Sequence, residues 1–357
     1  MNKDSRLLRI GILGCGPISQ IAHFDAVRKS RNAELYAICD VAAELREKMA
    51  AAHSPRAVYS RFQDMLEDPL VEAVLIGVAD QYHVPLALLA VQSGKHVLVE
   101  KPLGVNVEEC ETLRASLEGS RLVFQIGHNR RFDPGIAFAR KFIREELGQI
   151  MAFKSWYCDS THRYTMTDNL QPIPILSPEA RRPGGNPKAD KRRYFILTHA
   201  SHLVDTARFL GGEIVGVRAR LLERFGAFCW FVEVDFASGA LGHLDLTIPV
   251  RGDFEEGFQI YGEQGSVNGK VYLPWFHKSS LVECFSEKDR QYRRPLGEDA
   301  HSYKLQIEGF ASAILQGSPQ HGADIHDGVA SMRALVAIAR SAETGEHVEL
   351  ATVTGAV

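Results

Sequence analysis

The sequence LRIGILGCGPIS, at residues 8–19, is the segment from which the fold is most directly predicted. Its first half is a short apolar run typical of a buried strand, and the turn Gly14-Cys15-Gly16 follows directly. Beyond the turn, apolar side chains recur at helical spacing. A strand, a G-x-G-x-x turn and a helix in this order predict the opening unit of a dinucleotide-binding fold, although Ser19 stands where the fingerprint prefers glycine or alanine.

An acidic residue follows the second predicted strand, 34–39. Asp40 lies at about the distance from the glycine turn at which a ribose-binding acid is expected. A carboxylate there accepts hydrogen bonds from ribose hydroxyls and repels a 2′-phosphate, and Val41-Ala42-Ala43 brings no cation to offset the repulsion. These residues predict NAD rather than NADP as the cofactor. The alternative, that Asp40 only caps the next helix, stays open.

Strand and helix patterns alternate as far as residue 127, with further strands at 71–78, 97–99 and 122–127. Such alternation predicts a parallel sheet that binds its ligand beyond the carboxyl ends of the strands. His83 and the sequence Glu100-Lys101-Pro102 fall at such ends. We expect them to meet Gly14 and Asp40 in one crevice, where the Lys101 ammonium would polarise a hydroxyl or carbonyl beside a nicotinamide ring.

The length of 357 residues predicts two domains, 1–127 and 128–357. The second half is typical of consecutive strands, which suit an antiparallel sheet, at 151–157, 215–221, 229–236, 240–248 and 258–262. Two closing helices are predicted at 308–317 and 328–344.

The composition favours a small-molecule partner. Lys and Arg number 41 against 44 Asp and Glu, so a formal charge of −3 gives no electrostatic footprint for nucleic acid or an anionic membrane. The six cysteines lie far apart, without the Cys/His spacing of a zinc site, and no metal is expected. No apolar run is long enough to span a membrane, and we expect a cytoplasmic protein.

The strongest candidate for a catalytic base lies in a predicted helix at 195–210. Thr198, His202 and Asp205 are spaced by four and three residues, so they share one helical face. An imidazole whose pKa is near neutrality suits general-base work. Position alone leaves two interpretations of His202 equally open: a catalytic base, or a helix histidine satisfied by Asp205.

Several segments together resemble the Gfo/Idh/MocA oxidoreductases, the family of glucose-fructose oxidoreductase and inositol dehydrogenase. The resemblance rests on the glycine turn, GKHVLVEKPL at 94–103, GHNRRF at 127–132 and the helix around His202. It implies an α/β protein with an N-terminal Rossmann domain, a doubly wound parallel sheet, and a C-terminal α/β domain with a large, open, mainly antiparallel sheet. A homodimer or homotetramer held by that open sheet is also implied.

The resemblance further implies roles for individual residues. His202 would accept the hydroxyl proton while hydride leaves for C4 of the nicotinamide, and Lys101 would stabilise the developing alkoxide. The family pattern Asp-x-Gly-x-His-x-x-Asp is altered here, since Thr198 replaces its first Asp and Ala200 its Gly. Without that carboxylate, we expect the pKa of His202 to stay near its intrinsic value, unless Asp205 on the same helical face takes over its role, and oxidation to rise between about pH 6 and 7.

The remaining site predictions complete the crevice. The predicted substrate contacts are Thr198, Tyr157 and His199. The predicted cofactor contacts are Gly14, Gly16, Pro17, Ile18, Asp40, His83, Glu100, Lys101, Asn129 and Arg131. For Arg131 the alternative is an ion pair with an acid. The basic segment 181–193 has three interpretations: a site for an anionic group of the substrate, an oligomer contact, or a solvated surface.

The leading hypothesis is an NAD-dependent dehydrogenase that acts on a ring secondary hydroxyl of a cyclic polyol, sugar or glycoside. One alternative is an enzyme that retains its cofactor through oxidation and reduction, such as a glycoside C3 oxidoreductase. The other is a non-catalytic NAD-binding regulator, and the presence of both Lys101 and His202 argues against it.

Overall fold

The first half of the chain builds one parallel sheet. The computed structural model describes residues 6–162, 170–180, 189–297 and 299–357. The strands of this sheet are β1 (Leu8–Leu13), β2 (Ala33–Cys39), β3 (Ala57–Tyr59), β4 (Ala73–Ile76), β5 (His96–Val99) and β6 (Phe124–Ile126). They pair in parallel in the order β3-β2-β1-β4-β5-β6. In this doubly wound order the ligand crevice opens between β1 and β4, where the direction of strand addition reverses.

Helices connect these strands. They are α1 (Phe24–Lys29), α2 (Ala43–His53), α3 (Phe62–Glu67), α4 (His83–Gln92), α5 (Val107–Ser116) and α6 (Pro134–Glu145). A π-helical turn, Ser19–His23, joins the glycine turn to α1. All four residues of β4 are buried, as expected for a strand whose sheet is covered on both faces.

The second half builds a nine-stranded mixed sheet. Its strands are β7 (Ile150–Ser160), β8 (Ile214–Arg224), β9 (Ala227–Phe236), β10 (Leu241–Val250), β11 (Glu255–Gly262), β12 (Gly265–Val271), β13 (Leu281–Ser286), β14 (Gln291–Arg293) and β15 (Val348–Glu349). Their order is β14-β13-β12-β11-β7-β10-β9-β8-β15. Only the central pair, β7 and β10, is parallel within the described sheet. The predicted fold class is confirmed.

Four further helices complete the described chain: α7 (Lys191–Phe195), α8 (Ser201–Gly211), α9 (Ser302–Gln316) and α10 (Ile325–Thr344). A π-helical turn, Ile196–Ala200, joins α7 to α8. Helix α9 returns to the first sheet, because its Ile307 and Phe310 share a buried cluster with Ile10 and Phe24. The core of the parallel sheet therefore draws on residues close to the end of the chain, and the division at residue 127 stays a prediction.

The sequence patterns missed strands β3, β12, β13, β14 and β15. Of these, β3, β14 and β15 have only two or three residues, and β12 contains two glycines. Strand β12 carries Gly265 and Gly269, which lower its strand propensity. Gly269 pairs with Phe258 of β11, and a Cβ at 269 would collide with the Phe258 ring. The glycine is thus required by tertiary packing, a reason that a local pattern does not carry. None of the helices in the described ranges has the length and apolar character needed to cross a bilayer.

Candidate functional site

A cleft of about 680 Å³ opens at the carboxyl ends of β1, β2 and β4. Five of the residues predicted to contact the cofactor line it, namely Gly14, Gly16, Pro17, Ile18 and Asp40, and their contact with the cofactor stays a prediction. Gly14 has φ of +96°, and a Cβ there would lie 2.5 Å from the main-chain oxygen of Gly77. At Gly16 the corresponding space is empty. A glycine turn that leads into a helix in this way suits the pyrophosphate of a dinucleotide, so the cleft fits NAD.

Asp40 is held in place by main-chain amides. Its Oδ2 accepts a hydrogen bond from Cys15 N at 2.7 Å, and its Oδ1 accepts one from Ala42 N at 2.9 Å. The carboxylate therefore steadies the glycine turn while it lines the cleft. The three residues directly after Asp40 bring no cation, but Arg61, from the turn after β3, lines the same cleft.

A segment from the second half of the chain covers part of this cleft. We call residues 170–180 the strap. Ile175, Leu176, Ser177 and Ala180 of the strap line the cleft. The Gln20 side chain donates to the Ile175 main-chain oxygen at 3.0 Å and accepts from its nitrogen at 2.8 Å. A second anchor is the hydrogen bond from Ala43 N to Glu179 Oε2, at 3.1 Å. No sequence pattern pointed to this contact.

Lys101 and Glu100 lie at the end of β5, where the two halves of the chain meet. The Lys101 ammonium donates to the Thr198 main-chain oxygen at 3.0 Å, so it reaches the segment that carries His202. Glu100 is buried, and its Oε1 lies 3.1 Å from His23 Nε2. Burial alone would raise the pKa of Glu100, but His23 and the nearby charge of Lys101 outweigh it and leave the pKa below its ordinary value. His23 was not predicted, because a helix histidine beside apolar residues carries no local signal.

His83 is buried next to the same turn. Its Nδ1 lies 2.7 Å from the main-chain oxygen of Pro102, and its Nε2 lies 3.1 Å from that of Val78. Both ring nitrogens thus face carbonyl oxygens, and the side chain ties the end of β4 to the turn that carries Lys101. The predicted contact of His83 with the cofactor stays a prediction.

His202 is half-buried, with its Nδ1 fully buried, in a setting rich in positive charge. Burial, followed by the charges of Lys101 and Arg130, holds the pKa of the His202 ring well below 6.5. Within the described chain, its Nδ1 has no hydrogen-bond partner. The expectation that His202 would titrate near its intrinsic value is therefore corrected. That expectation rested on residue 198 and the helix it shares with His202, whereas Lys101 and Arg130 come from other elements.

The side chains predicted to contact substrate cluster around this histidine. The buried Tyr157 ring lies parallel to the His202 ring, with centroids 6.2 Å apart and planes at 4°. The Thr198 hydroxyl donates to the Tyr194 main-chain oxygen at 2.6 Å and lies 2.6 Å from His199 Nδ1. His199 Nε2 lies 3.1 Å from Oδ2 of the buried Asp159. Asp159 is a further site residue that the sequence patterns missed.

Asp205 bonds Arg131 rather than His202, the partner considered for it from the sequence. It makes hydrogen bonds of 2.7 and 3.1 Å with the Arg131 guanidinium, which also bonds Asp327 at 2.8 Å. Arg131 is thus in the ion-pair arrangement that the sequence left open. Asn129 donates to the Ser302 hydroxyl of α9 at 3.0 Å. Neither Arg131 nor Asn129 lines the cleft as described, so their cofactor contacts stay predictions.

A second buried ion pair borders the site. Arg130 and Glu256 lie 2.5 Å apart and are both buried. Burial raises the pKa of Glu256 to about 7, although Arg130 acts in the opposite direction.

Of the basic segment 181–193, residues 181–188 lie outside the described residues. Its described part includes Arg192, whose side chain pairs with Glu223.

Comparison with known protein families identifies the family of this chain. A family profile described as "oxidoreductase family, NAD-binding Rossmann fold" matches residues 8–128, and its companion, "oxidoreductase family, C-terminal alpha/beta domain", matches residues 194–350. The chain belongs to the Gfo/Idh/MocA oxidoreductase family. The resemblance stated from the sequence is confirmed, and this Gfo/Idh/MocA protein is an NAD-binding oxidoreductase.

Among relatives of this Gfo/Idh/MocA protein, inositol 2-dehydrogenase of Rubrobacter xylanophilus is 26% identical over 341 residues, which cover 93% of the chain and 90% of the relative. Levoglucosan dehydrogenase of Pseudarthrobacter phenanthrenivorans is 27% identical over 260 residues, 64% of the chain and 63% of the relative. A solved structure of levoglucosan dehydrogenase in complex with NADH has a TM-score of 0.77 at 22% identity and covers 97% of this chain and 99% of its own. That structural likeness shows the fold.

Proposed function

We propose that the protein is an NAD-dependent dehydrogenase that transfers hydride from a ring secondary hydroxyl of a cyclic polyol, sugar or glycoside. The observation that carries the proposal is the hydrogen bond from Lys101 to the main-chain oxygen of Thr198, which lies just before the helix of His202. The Tyr157 ring of β7 lies parallel to the His202 ring, so residues of both sheets come together at this point. The names of the relatives, which include inositol and levoglucosan dehydrogenases, support the same substrate class.

The assignment of roles follows from charge. Bound NAD supplies the hydride acceptor. His202 has a pKa well below 6.5, so its ring is neutral at physiological pH and able to accept the hydroxyl proton. The Lys101 ammonium is a donor that would stabilise negative charge as it develops on the reacting oxygen. The substrate ring would lie against a wall formed by Tyr157, Thr198 and His199.

The test combines substrate screening with one variant. Protein, NAD and a panel of inositols, aldoses, anhydrosugars and glycosides are mixed, and reduced nicotinamide is followed by absorbance. On the best substrate, Lys101→Met should lower turnover by about a hundredfold or more with little change in NAD affinity. Lys48→Met, on the exposed face of α2, is the matched control. If Lys101→Met turns over within a few fold of the parent, Lys101 does not act in the site. If no substrate of the panel leads to reduction of NAD, the result favours the NAD-binding regulator.

We further propose that NAD is preferred over NADP by at least about tenfold in kcat/KM, or about 1.4 kcal/mol. Support comes from Asp40, whose carboxylate lines the cleft beside Cys15 and repels a 2′-phosphate. Arg61 lines the same cleft, and its positive charge would attract a 2′-phosphate and so favour NADP. Asp40→Ser should narrow the preference when both cofactors are compared, and equal use of NADP by the parent enzyme would contradict the assignment.

The retained-cofactor alternative has one specific observation in its favour. The strap covers part of the cofactor cleft and is anchored to the first half of the chain by Gln20 and by Ala43. A dinucleotide in the cleft would leave more slowly while these contacts hold. A single stoichiometric burst of reduced nicotinamide in the substrate screen would support this alternative, whereas steady turnover would support release in each cycle.

We also propose that the protein is a homo-oligomer joined through the outer face of the second sheet. Exposed large apolar side chains from five strands share that face by their pairing register: Leu222, Phe231, Leu241, Tyr261 and Tyr292. A row of this kind is typical of a surface that is covered in solution. Light scattering should give two or four times the chain mass of 39.6 kDa, and a monomeric mass would refute the proposal.

A further inference from the structure

A second cavity, of about 270 Å³, lies away from the cofactor cleft. It is bounded by α6, by α8 and by residues 320–327, which lead into α10. Four arginines line it: Arg131, Arg140, Arg144 and Arg208. The acidic residues that line the same cavity are Asp324 and Asp327. Four guanidinium groups around so small a space repel one another, so nearby negative charges are needed to stabilise them.

Two of these arginines are already compensated. Arg131 bonds Asp205 and Asp327, as described above. Arg208 lies 2.6 Å from Glu213 and 3.4 Å from Asp327. Asp324 is used as the N-cap of α10, where its side chain accepts a hydrogen bond from the main chain of Asp327. The carboxylates in and around the cavity are thus committed to these two arginines and to a helix end.

The other two arginines keep their positive charge toward the cavity. Arg140 and Arg144 are one turn apart on α6, so they share a face of the helix. Neither has a carboxylate within ion-pair distance among the described residues. The Arg140 guanidinium packs over the Phe209 ring, 4.5 Å from its centroid, and Arg131 packs 5.0 Å from the same centroid. Burial, with the charges of Arg131 and Arg144, lowers the pKa of Arg140.

We propose that this cavity is a binding site for a phosphate dianion, either free or as the phosphoryl group of a small metabolite. Guanidinium groups match phosphate oxygens with paired hydrogen bonds, and two of them on one helical face offer four or more donors to one anion. The cavity volume suits a small anion rather than a protein segment. The Phe209 ring holds Arg140 in place, so less side-chain entropy is lost when the anion binds.

The test is calorimetric titration of the full chain, saturated with NAD so that the anion cannot occupy the glycine turn. Inorganic phosphate and glycerol 3-phosphate are titrated separately at ionic strength held constant with sodium chloride. We expect saturable binding that weakens at least about tenfold in Arg140→Gln/Arg144→Gln. Lys141→Gln, an exposed change on the same helix, is the control and should bind as the parent does.

Each outcome has a meaning. Tighter binding of glycerol 3-phosphate identifies a phosphorylated metabolite as the ligand, and equal or tighter binding of inorganic phosphate identifies the free anion. Should the double variant fold poorly, Arg144→Gln alone, at an exposed position, should still lose affinity by about threefold or more. Absence of binding to both probes, or equal affinity in the parent and the arginine variants, would overturn the proposal.

Discussion

The anchoring of the strap leads to a prediction about how fast the reduced cofactor leaves. Gln20→Ala removes the two hydrogen bonds to the main chain of Ile175, of 3.0 and 2.8 Å. At about 1 kcal/mol for each bond, the closed strap loses about 2 kcal/mol. Since about 1.4 kcal/mol corresponds to a factor of ten, release of NADH should be about thirtyfold faster. The assay is stopped-flow displacement of NADH by excess NAD, followed by nicotinamide fluorescence.

Two further variants separate strap opening from damage to the glycine turn, because Gln20 also bonds the Cys15 main-chain oxygen at 2.8 Å. Glu179→Ala removes the other anchor and leaves the turn untouched. That bond is exposed, so release should be faster by only about two- to fivefold. Gln63→Ala, on the exposed side of α3, should have no effect. The reasoning fails if Gln20→Ala and Glu179→Ala both release NADH at the parent rate.

Two other outcomes are expected. Because the pKa of His202 lies well below the 6.5 of a free imidazole, kcat/KM for oxidation should be level across the pH range in which a free imidazole titrates and should fall only in more acidic solution. A limb centred between about pH 6 and 7 in a pH–rate profile would count against this histidine as the base. Asp205→Asn leaves the buried Arg131 partly uncompensated and should lower the free energy of unfolding in urea by about 3–5 kcal/mol. Asp235→Asn, which breaks an exposed pair with His347, should cost under about 1 kcal/mol, and similar losses in both variants would count against the buried-pair argument.

Much of the cofactor cleft could be predicted because it is local in sequence. The run from Leu8 to Ile18 builds strand, turn and helix start in one stretch, and its glycines are required by main-chain geometry at the turn itself. Asp40 follows from its place after the next strand. The alternation of strand and helix likewise leads to a parallel sheet, since a right-handed crossover is the only common way to connect such strands.

The charges around His202 were beyond local reasoning. The sequence places Thr198 and Asp205 on the helical face of His202, and both were weighed as its partners. In the structure, Asp205 belongs to Arg131, while Lys101 and Arg130, distant in sequence, act on the imidazole. A pKa depends on burial and on every charge nearby, and these are properties of the packed molecule.

The Rossmann unit, the family and the candidate catalytic pair could be predicted from short motifs, because the geometry of each motif is set by neighbouring residues. Three other features depend on the packed molecule: the strap lies over the cofactor cleft, α9 completes the core of the first sheet, and Arg140 and Arg144 face a cavity. These contacts join residues far apart in the chain, and they form because buried apolar surface and paired polar groups are optimised over the whole fold rather than within one element.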